Sequence, residues 1–366
     1  MQKYLYLFKE DLKFIAFELE NLLDKFENSV FFVTGGTGII GKWMLETLCF
    51  LEESYRLNLK IYVLTRNKEK FFSQYPLFRD CRILEFIQGD VISFSSLNVV
   101  HDEVDYVVHG ATESSSSAIL KSPLKMFEVI VKGTWNVLEC SKNWNPKGIL
   151  ILSSGAVYGK QGKKFLEETD FGCINFTDPL LAYTMGKEAG EHLAILYFYT
   201  FQLPVKIARI FALVGPHLPL EGPFAIGNFI RDALKGGPIV IKGDGTPVRS
   251  YLYLGDLVIW LFKILLEGKA GEAYNTGSDK AISIKELAQL VADFAEKELK
   301  EYKKIEILIQ QNKTFSSASD VYVPSIEKAK KELGLKVFTQ LEEAIQKTFY
   351  FYRLKREGSK DEVQNL

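Results

Sequence analysis

Cysteine is scarce in this sequence, which has only four among 366 residues. The cysteines stand far apart, and no pair has the C-x-x-C spacing that zinc sites and thiol redox centres use. We therefore predict no metal site and interpret the thiols as reduced, buried side chains. The four residues are Cys49, Cys81, Cys140 and Cys173.

An excess of charge and long apolar runs are missing too. The formal net charge is −1, so no global electrostatic field would draw the chain to nucleic acid or to a membrane. No run of about 18 apolar residues suggests a membrane span. The charged residues between Lys3 and Lys13 are unlike those of a secretory signal peptide. We expect a cytoplasmic protein without nucleic-acid or membrane partners.

What the sequence does contain is an apolar strand that leads into regularly spaced glycines. The run 30–33 is followed by Gly35, Gly38 and Gly41 in a G-x-x-G-x-x-G spacing. The first glycine would permit a tight turn, the second a close approach of backbone to a pyrophosphate, and the third close packing of a helix on the strand. The free N–H groups of that helix would face the phosphates. The predicted cofactor-binding residues of this turn are Gly35, Thr37, Gly38, Ile39, Ile40 and Gly41.

Strands and helices alternate along most of the chain, which is typical of βαβ units. The alternation predicts an α/β fold with a Rossmann-like, doubly wound parallel sheet. Beyond about residue 211 the rhythm loosens and prolines cluster, which predicts a smaller, mixed C-terminal lobe that binds the substrate. The predicted strands are 29–34, 60–65, 83–88, 104–110, 147–153, 205–210 and one near 239–241. The predicted helices are 39–54, 122–143, 180–200, 225–236 and 254–267.

Four regions of the chain follow from these patterns. Residues 1–28 are predicted to form an N-terminal helical extension, because apolar residues recur at helical spacing there; we interpret it as a cover for the domain edge. Residues 29–211 would form the dinucleotide-binding domain with the active site. Residues 212–350 would form mainly the substrate lobe, with elements that return to the sheet. Residues 351–366 would form a charged tail.

Tyr183 and Lys187 are four residues apart on a predicted helix, so they lie on one face of it. An ammonium near a phenol favours the phenolate, and Lys187 should therefore lower the pKa of Tyr183 from about 10 toward working pH. Such a tyrosine can exchange a proton with a sugar hydroxyl or carbonyl. The strand before this helix ends in Ser153 and Ser154. A hydroxyl at that strand end can bind the same substrate oxygen, and we prefer Ser154 to Ser153 for this role.

Together these elements resemble the extended short-chain dehydrogenase/reductase family of nucleotide-sugar epimerases, dehydratases, decarboxylases and keto-reductases. The resemblance covers roughly residues 29–350 and includes the segments Gly89–Val91, His109–Ala111, Arg209–Phe211 and Arg249–Leu257.

This resemblance implies roles for individual residues. Asp90 would hold the adenine amine, and Val91 and Ala111 would complete the cofactor site beside Tyr183 and Lys187. Arg249 would bind the diphosphate of a nucleotide sugar, because its planar fork matches phosphate oxygens. The other predicted substrate-binding residues are Glu113, Ser154, Gly155, Tyr183, Asn228 and Lys242.

Some positions depart from the pattern of this family. Dehydratases in it typically follow the active-site hydroxyl with Asp-Glu, where this chain has Gly155 and Ala156. Neither can transfer a proton, so 4,6-dehydration is disfavoured. Lys242 stands where an aromatic residue often stacks on the nucleotide base, which leaves the base unassigned.

The second predicted strand ends in Thr65 and Arg66, without the acidic residue that NAD-preferring enzymes usually place there. These two residues could hold a 2′-phosphate, which favours NADP slightly over NAD. Arg66 could instead stack on the adenine, which would suit either cofactor.

The resulting interpretation is an NAD(P)-dependent oxidoreductase that transfers hydride at C4 of a nucleotide-diphosphate sugar. Tyr183 would exchange the proton, Lys187 would tune it and orient the nicotinamide ribose, and Ser154 would polarise the oxygen. A 4-keto-sugar reductase is preferred over a 4-epimerase with retained NAD. A decarboxylase, a dehydratase and a non-enzymatic dinucleotide sensor are ranked lower. A homodimer is expected to form through the helices at 122–143 and 180–200.

Overall fold

The computed structural model describes residues 8–94, 103–112, 122–172, 174–222, 224–298, 304–310 and 320–357. Its centre is a seven-stranded sheet in the order β11-β6-β5-β4-β1-β2-β3, in which every neighbouring pair is parallel. The predicted α/β fold with a Rossmann-like sheet is therefore confirmed. The strands of this sheet are β1 (Val30–Thr34), β2 (Lys60–Thr65), β3 (Leu84–Gln88), β4 (Tyr106–His109), β5 (Gly148–Ser154), β6 (Val205–Ile210) and β11 (Glu272–Thr276).

Helices connect these strands and cover the sheet. Central strands β1 and β4 are apolar except for the last residue of each, Thr34 and His109, as is typical of parallel strands buried on both faces. The α-helices of the described residues are α1 (Lys9–Glu18), α2 (Leu23–Phe26), α3 (Ile39–Tyr55), α4 (Lys68–Gln74), α5 (Pro123–Trp144), α6 (Ala182–Phe201), α7 (Ala225–Leu234), α8 (Leu254–Glu267), α9 (Ile284–Glu298), α10 (Glu327–Leu333) and α11 (Leu341–Glu357).

Three small sheets lie in the second half of the chain, beyond the carboxyl ends of the long strands. The first pairs β7 (Leu213–Val214) with β10 (Leu252–Tyr253). The second joins β9 (Val248–Arg249), β12 (Ile282–Ser283) and β14 (Val321–Tyr322). The third pairs β8 (Ile239–Ile241) with β13 (Ile307–Ile309). The second half thus builds its surface from short strands that are distant in sequence.

Helix α1 is fastened into the core by a buried carboxylate. Asp11 is only 4% exposed; it accepts hydrogen bonds from the Tyr253 hydroxyl at 2.6 Å and from Lys347 Nζ at 2.5 Å. Leu12 and Ile15 of the same helix are fully buried. The helix therefore joins the start of the described chain to the last helix, α11.

The structure corrects three details of the predicted elements. The segment 239–241 is a strand, but it pairs with β13 outside the main sheet. The seventh strand of the main sheet is β11, which no predicted strand covered. The predicted N-terminal helix is divided, because a 3₁₀ turn at Glu20–Leu22 separates α1 from α2. The division of the chain into four regions stays a prediction.

No described helix is both long enough and apolar enough to span a bilayer.

Candidate active site

A cavity of about 920 Å³ opens at the carboxyl ends of the parallel strands. It lies beside β1 and β4, where the strand order reverses direction, which is the usual ligand crevice of an open parallel sheet. The glycine turn after β1 borders one part of this cavity, and the small sheets border another. The fold therefore gathers the strand ends and the second half of the chain around one space.

The glycine turn leaves the N-terminus of α3 open to the cavity. Gly35 has a φ of +76°, and a Cβ there would lie 2.5 Å from the carbonyl carbon of Gly110. A Cβ at Gly41 would lie 2.4 Å from the Gly35 oxygen. Gly38 is the exposed N-cap of the helix. The predicted lining residues Gly35, Gly38, Ile39, Ile40 and Gly41 face the cavity, whereas Thr37 is not among the residues that line it.

Three predicted catalytic residues meet at one wall of the cavity. Tyr183 begins the first turn of α6, and its hydroxyl hydrogen-bonds the Ser154 hydroxyl at the end of β5. Lys187 lies one turn further along α6, where its Nζ is 5.9 Å from the centre of the Tyr183 ring. That Nζ donates a hydrogen bond to the Leu152 carbonyl at 2.7 Å. The spacing Tyr183–Lys187 therefore does place both groups beside the strand-end hydroxyl.

The electrostatics of this centre differ from the expectation. Desolvation raises the pKa of Tyr183, and the hydrogen bond from Ser154 only opposes it. Desolvation also lowers the pKa of Lys187 to about 8, against the opposing charge of Glu191. The prediction that Lys187 lowers the pKa of Tyr183 does not hold in this structure. The reason is that burial removes water from the phenol and so disfavours its charged form. The Lys187 ammonium does not offset this effect, because it donates its hydrogen bond to a backbone carbonyl.

Behind the centre lies a network that the sequence analysis missed. Glu191 accepts hydrogen bonds from the Ser153 hydroxyl at 2.5 Å and from Arg209 Nε and Nη2 at 3.1 and 2.8 Å. Arg209 Nη1 also donates to the Tyr158 hydroxyl at 2.8 Å. Ser153 is thus turned into this network, while Ser154 meets Tyr183. The available signal was that Glu191 follows Lys187 by one further helical turn.

His109 is enclosed beneath the site and is held in its neutral form. Its ring nitrogens contact the Thr34 and Thr134 hydroxyls at 2.8 and 3.1 Å. Burial and the nearby charge of Lys187 lower its pKa to about 3. The histidine therefore supports the strand ends and carries no exchangeable charge near neutral pH.

Most of the predicted substrate residues line the same cavity as the catalytic centre. Gly155, at the start of the 3₁₀ turn that follows β5, is buried directly after Ser154 and is not among the lining residues. Asn228, Lys242 and Arg249 line the cavity itself. Arg249 already holds a partner, because its Nη2 donates to the Asp320 carboxylate at 2.9 Å. Its role as the diphosphate ligand stays a prediction, and a diphosphate would compete with Asp320 or bind beside it.

The predicted adenosine residues lie at the ends of β2 and β3, away from the cavity lining. Arg66 is exposed, and Thr65 is 8% exposed. The Asp90 carboxylate accepts a hydrogen bond from the Ile92 N–H at 3.2 Å. Val91 is buried, and its side chain packs where a Cβ on Gly133 would lie, at 2.9 Å. The Val91 side chain is therefore unavailable to a ligand.

Ala111 and Glu113 are the remaining predicted site residues. The Ala111 N–H donates to the Thr34 hydroxyl at 3.2 Å, which ties the end of β4 to β1. Glu113 lies outside the described residues, so its contact with a sugar stays a prediction. Thr112, one residue earlier, lines the cavity, and its buried hydroxyl has no hydrogen-bond partner among the described residues. No pattern in the sequence pointed to Thr112.

Within the described parts of the chain, no cluster of three or more His, Cys, Asp or Glu side chains is arranged to hold a metal ion.

Comparison with known proteins gives a consistent family. Residues 31–277 match the NAD dependent epimerase/dehydratase family. Over 314 residues the chain is 28% identical to UDP-glucuronic acid decarboxylase 6 of Arabidopsis thaliana, covering 86% of this chain and 85% of that protein. Over 330 residues it is 26% identical to UDP-glucuronic acid decarboxylase 1 of Xenopus tropicalis, covering 88% of this chain and 71% of that protein.

Solved structures share the fold. A UDP-glucose 4-epimerase from Thermotoga maritima, solved with UDP-glucose, superposes with a TM-score of 0.73 at 23% identity over 89% of this chain and 99% of its own. A UDP-glucuronic acid 4-epimerase from Bacillus cereus, solved with UDP-glucuronic acid and NAD, gives a TM-score of 0.73 at 20% identity, again over 89% and 99%. At these identities the likeness establishes the architecture.

Proposed function

This chain belongs to the NAD-dependent epimerase/dehydratase family, and from that premise we propose that it oxidises C4 of a UDP-hexuronate and releases the C6 carboxylate as CO₂. The observation that carries the proposal is the Tyr183–Ser154–Lys187 centre on a cavity that also contains Arg249 and Lys242. The decarboxylase relatives support this reaction over the keto-reductase that the sequence analysis preferred.

The residues present fit a dinucleotide. The open N-terminus of α3 behind Gly38 is suited to a pyrophosphate, and any side chain at Gly41 would collide with the turn. Lys187, which lines the cavity, would contact the nicotinamide ribose. When bound, NAD would supply the hydride acceptor. A reaction that would regenerate NAD at the end of each cycle is consistent with the NAD dependence of the family.

The protein groups handle the proton at O4. Tyr183 takes the proton from the C4 hydroxyl, and Ser154 donates a hydrogen bond to the same oxygen. The resulting 4-keto group makes the C6 carboxylate β to a carbonyl. The C5–C6 electron pair can then move to C5 and O4 as CO₂ leaves, and the enolate oxygen is held by the same two hydroxyls. Protonation of C5, return of the hydride to C4 and return of the proton from Tyr183 to O4 would complete the balance and give a UDP-pentose.

The substrate anions need cationic partners, and four cationic residues of the described chain line the cavity: Lys187, Arg231, Lys242 and Arg249. Arg249 offers a planar fork for phosphate oxygens, and Lys242 offers a point charge. We assign the diphosphate to Arg249, in exchange with Asp320, and place Lys242 at the nucleotide side of it.

A 4-epimerase is the second candidate, and one observation favours it. Gly155 and Ala156, which follow Ser154, carry no group that could deliver a proton to C5. Chemistry confined to C4 needs no such group. A sugar that turns over after oxidation and is reduced on its other face would leave as the C4 epimer.

The deciding experiment incubates the purified chain with NAD and UDP-glucuronate carrying carbon-13 at C6. Decarboxylation gives labelled CO₂ and a UDP-pentose in mass spectrometry. Epimerisation gives a product of unchanged mass with a new anomeric proton signal in NMR. The Tyr183→Phe variant is the control, and it should give neither product. Turnover only of a 4-keto sugar, with stoichiometric consumption of NADPH, would contradict the proposal and restore the keto-reductase.

We also propose a homodimer through α5 and α6. Four of the apolar residues on which this expectation rests pack inside the chain, since Met126, Ile130, Leu138 and Tyr197 are buried. Two others face outward: Trp135 is 50% exposed and Leu196 46%. A twofold interface needs one such self-complementary patch. Sedimentation at micromolar concentration should give twice the chain mass of 41.6 kDa, and Trp135→Glu should give the monomer. A monomer for the parent chain would contradict this proposal.

A further inference from the structure

A second phenol reaches the reaction centre from the C-terminal half of the chain. Tyr322 lies on β14, where it is paired in register with Arg249 of β9. Its ring packs against that of Phe211, the residue after β6, with ring centres 4.6 Å apart and an interplanar angle of 36°. Its side chain lines the cavity together with Tyr183 and Ser154. The hydroxyl of Tyr322 hydrogen-bonds the Ser154 hydroxyl.

Gly155 makes this approach possible. A Cβ at that position would lie 2.6 Å from the Tyr322 hydroxyl and 2.7 Å from Phe211 Cζ. Both distances are far below ordinary van der Waals contact, so any other residue would push the phenol away from Ser154. Gly155, which lacks a proton-transferring group, thus gives space to a residue that has one.

The hydroxyl of Ser154 has one proton to donate and two lone pairs that accept. The Ala156 N–H, at 3.2 Å, occupies one lone pair. Two phenols contact the same serine oxygen, those of Tyr183 and Tyr322. In the step that removes a proton from the substrate, Tyr183 must accept hydrogen bonds, because it acts as phenolate. Of the described side chains that contact this oxygen, Tyr322 is then the one left to fill the second lone pair.

We propose that Tyr322 is a positioning residue that donates its hydroxyl proton to Ser154 Oγ and thereby directs the single serine proton toward Tyr183 and the sugar oxygen. This inference rests on the proposed C4 chemistry. Desolvation raises the pKa of Tyr322, which favours the protonated phenol that this role requires. The two tyrosines then have opposite hydrogen-bonding roles on one serine.

The first test removes only the hydroxyl. Tyr322→Phe keeps the ring that packs against Phe211, and we expect kcat to fall about tenfold, the effect of one net hydrogen bond. The KM for substrate should stay within twofold. In a Ser154→Ala background the same change should have no further effect, because the group through which Tyr322 acts is gone. Tyr158→Phe is the matched control: Tyr158 packs near Phe211 but bonds Asn275 and Arg209, so its effect should multiply with that of Ser154→Ala.

A second readout needs no substrate. The ionisation of Tyr183 can be followed by ultraviolet difference titration of the folded chain against Tyr183→Phe. Loss of the Tyr322 hydroxyl weakens the hydrogen bond from Ser154 to the phenolate, so the pKa of Tyr183 should rise in Tyr322→Phe, though by less than in Ser154→Ala, which removes that bond. The double variant should show no rise beyond that of Ser154→Ala.

The outcomes separate this inference from the proposed function. An unchanged Tyr183 titration in Tyr322→Phe, or effects of Tyr322→Phe and Ser154→Ala that multiply, would overturn the positioning role. Failure of the parent chain to oxidise any nucleotide sugar would overturn the proposed function instead, and the titration would still decide whether Tyr322 acts through Ser154.

Discussion

The carboxyl edge of the sheet has two ends that are built in different ways. The catalytic end, formed by Ser154, Tyr183 and Lys187, is enclosed and joined to the Glu191 network. The outer end, formed by Thr65, Arg66 and Asp90, follows β2 and β3 near the surface, and Arg66 there is exposed. At the catalytic end, packing and hydrogen bonds fix the side chains. At the outer end, the side chains stand at or just after the strand ends, near the surface.

The enclosed catalytic end shows how burial shifts the pKa of a side chain. At the catalytic end desolvation moves the pKa of Tyr183 upward and that of Lys187 down to about 8. Changes there should alter turnover and its pH dependence. Changes at the outer end should alter only which dinucleotide binds, because water solvates an exposed group in both its charged and its neutral form.

The largest effect is expected from Tyr183→Phe, which removes the proton carrier. We expect kcat to fall by about 10² to 10⁴, with the fold and the cofactor affinity nearly unchanged. Single-turnover kinetics, circular dichroism and cofactor titration would check the three parts. Activity within about threefold of the parent would show that the catalytic end is misassigned. Lys187→Met should lower both turnover and cofactor affinity, because it removes two roles.

Glu191→Gln should have the next largest effect. The change leaves Arg209 without its carboxylate in a partly enclosed site, and breaking such a pair costs up to about 3–5 kcal/mol of folding stability. Because Glu191 raises the pKa of Lys187, its loss should move that pKa below about 8. The alkaline limb of the pH–rate profile should then shift to lower pH.

Glu188→Gln is the matched control for this variant, since Glu188 lies on the same helix but does not contribute to the Lys187 shift. A pH–rate profile that shifts equally in both variants, or in neither, would contradict the role of Glu191 at the catalytic end.

The smallest and most selective effect is expected from Arg66→Ala. If Arg66 binds a 2′-phosphate, the change should weaken NADP by roughly 1.5–3 kcal/mol and NAD far less. Calorimetric titration of both cofactors would measure the difference. Arg56→Gln, an exposed arginine after α3, is the control and should change neither affinity. Equal losses for NAD and NADP would show that Arg66 only stacks on the adenine.

Local signals were enough for the glycine turn and the first βα unit. The predicted strand 29–34 and helix 39–54 correspond to β1 at Val30–Thr34 and α3 at Ile39–Tyr55. These elements depend on neighbouring residues: an apolar run, then glycines, then a helical pattern. The Tyr183–Lys187 spacing was likewise sufficient to bring two side chains to one helix face.

Long-range pairing could not be deduced in the same way. Strand β11 includes Glu272 and Asn275 and lacks an apolar run, so it is a strand because it pairs with β6. Arg249 meets Asp320 across 71 positions of sequence, and Tyr322 reaches Ser154 from a two-residue strand. The pKa of Tyr183 depends on atoms from several elements. Such features arise only when the chain has folded.

The ion pair between Asp11 and Lys347 has a consequence for the synthesis of the chain on the ribosome. Its two residues are 336 positions apart, so at about 5–20 residues per second the ribosome adds the lysine roughly 20 to 70 seconds after the aspartate. Throughout that interval the buried Asp11 carboxylate lacks its lysine, whereas α3 and α8, which pack on α1, are made earlier. The Asp11–Lys347 ion pair is thus among the last contacts of the described chain to form, and a chain that ends before α11 would leave this carboxylate without its lysine.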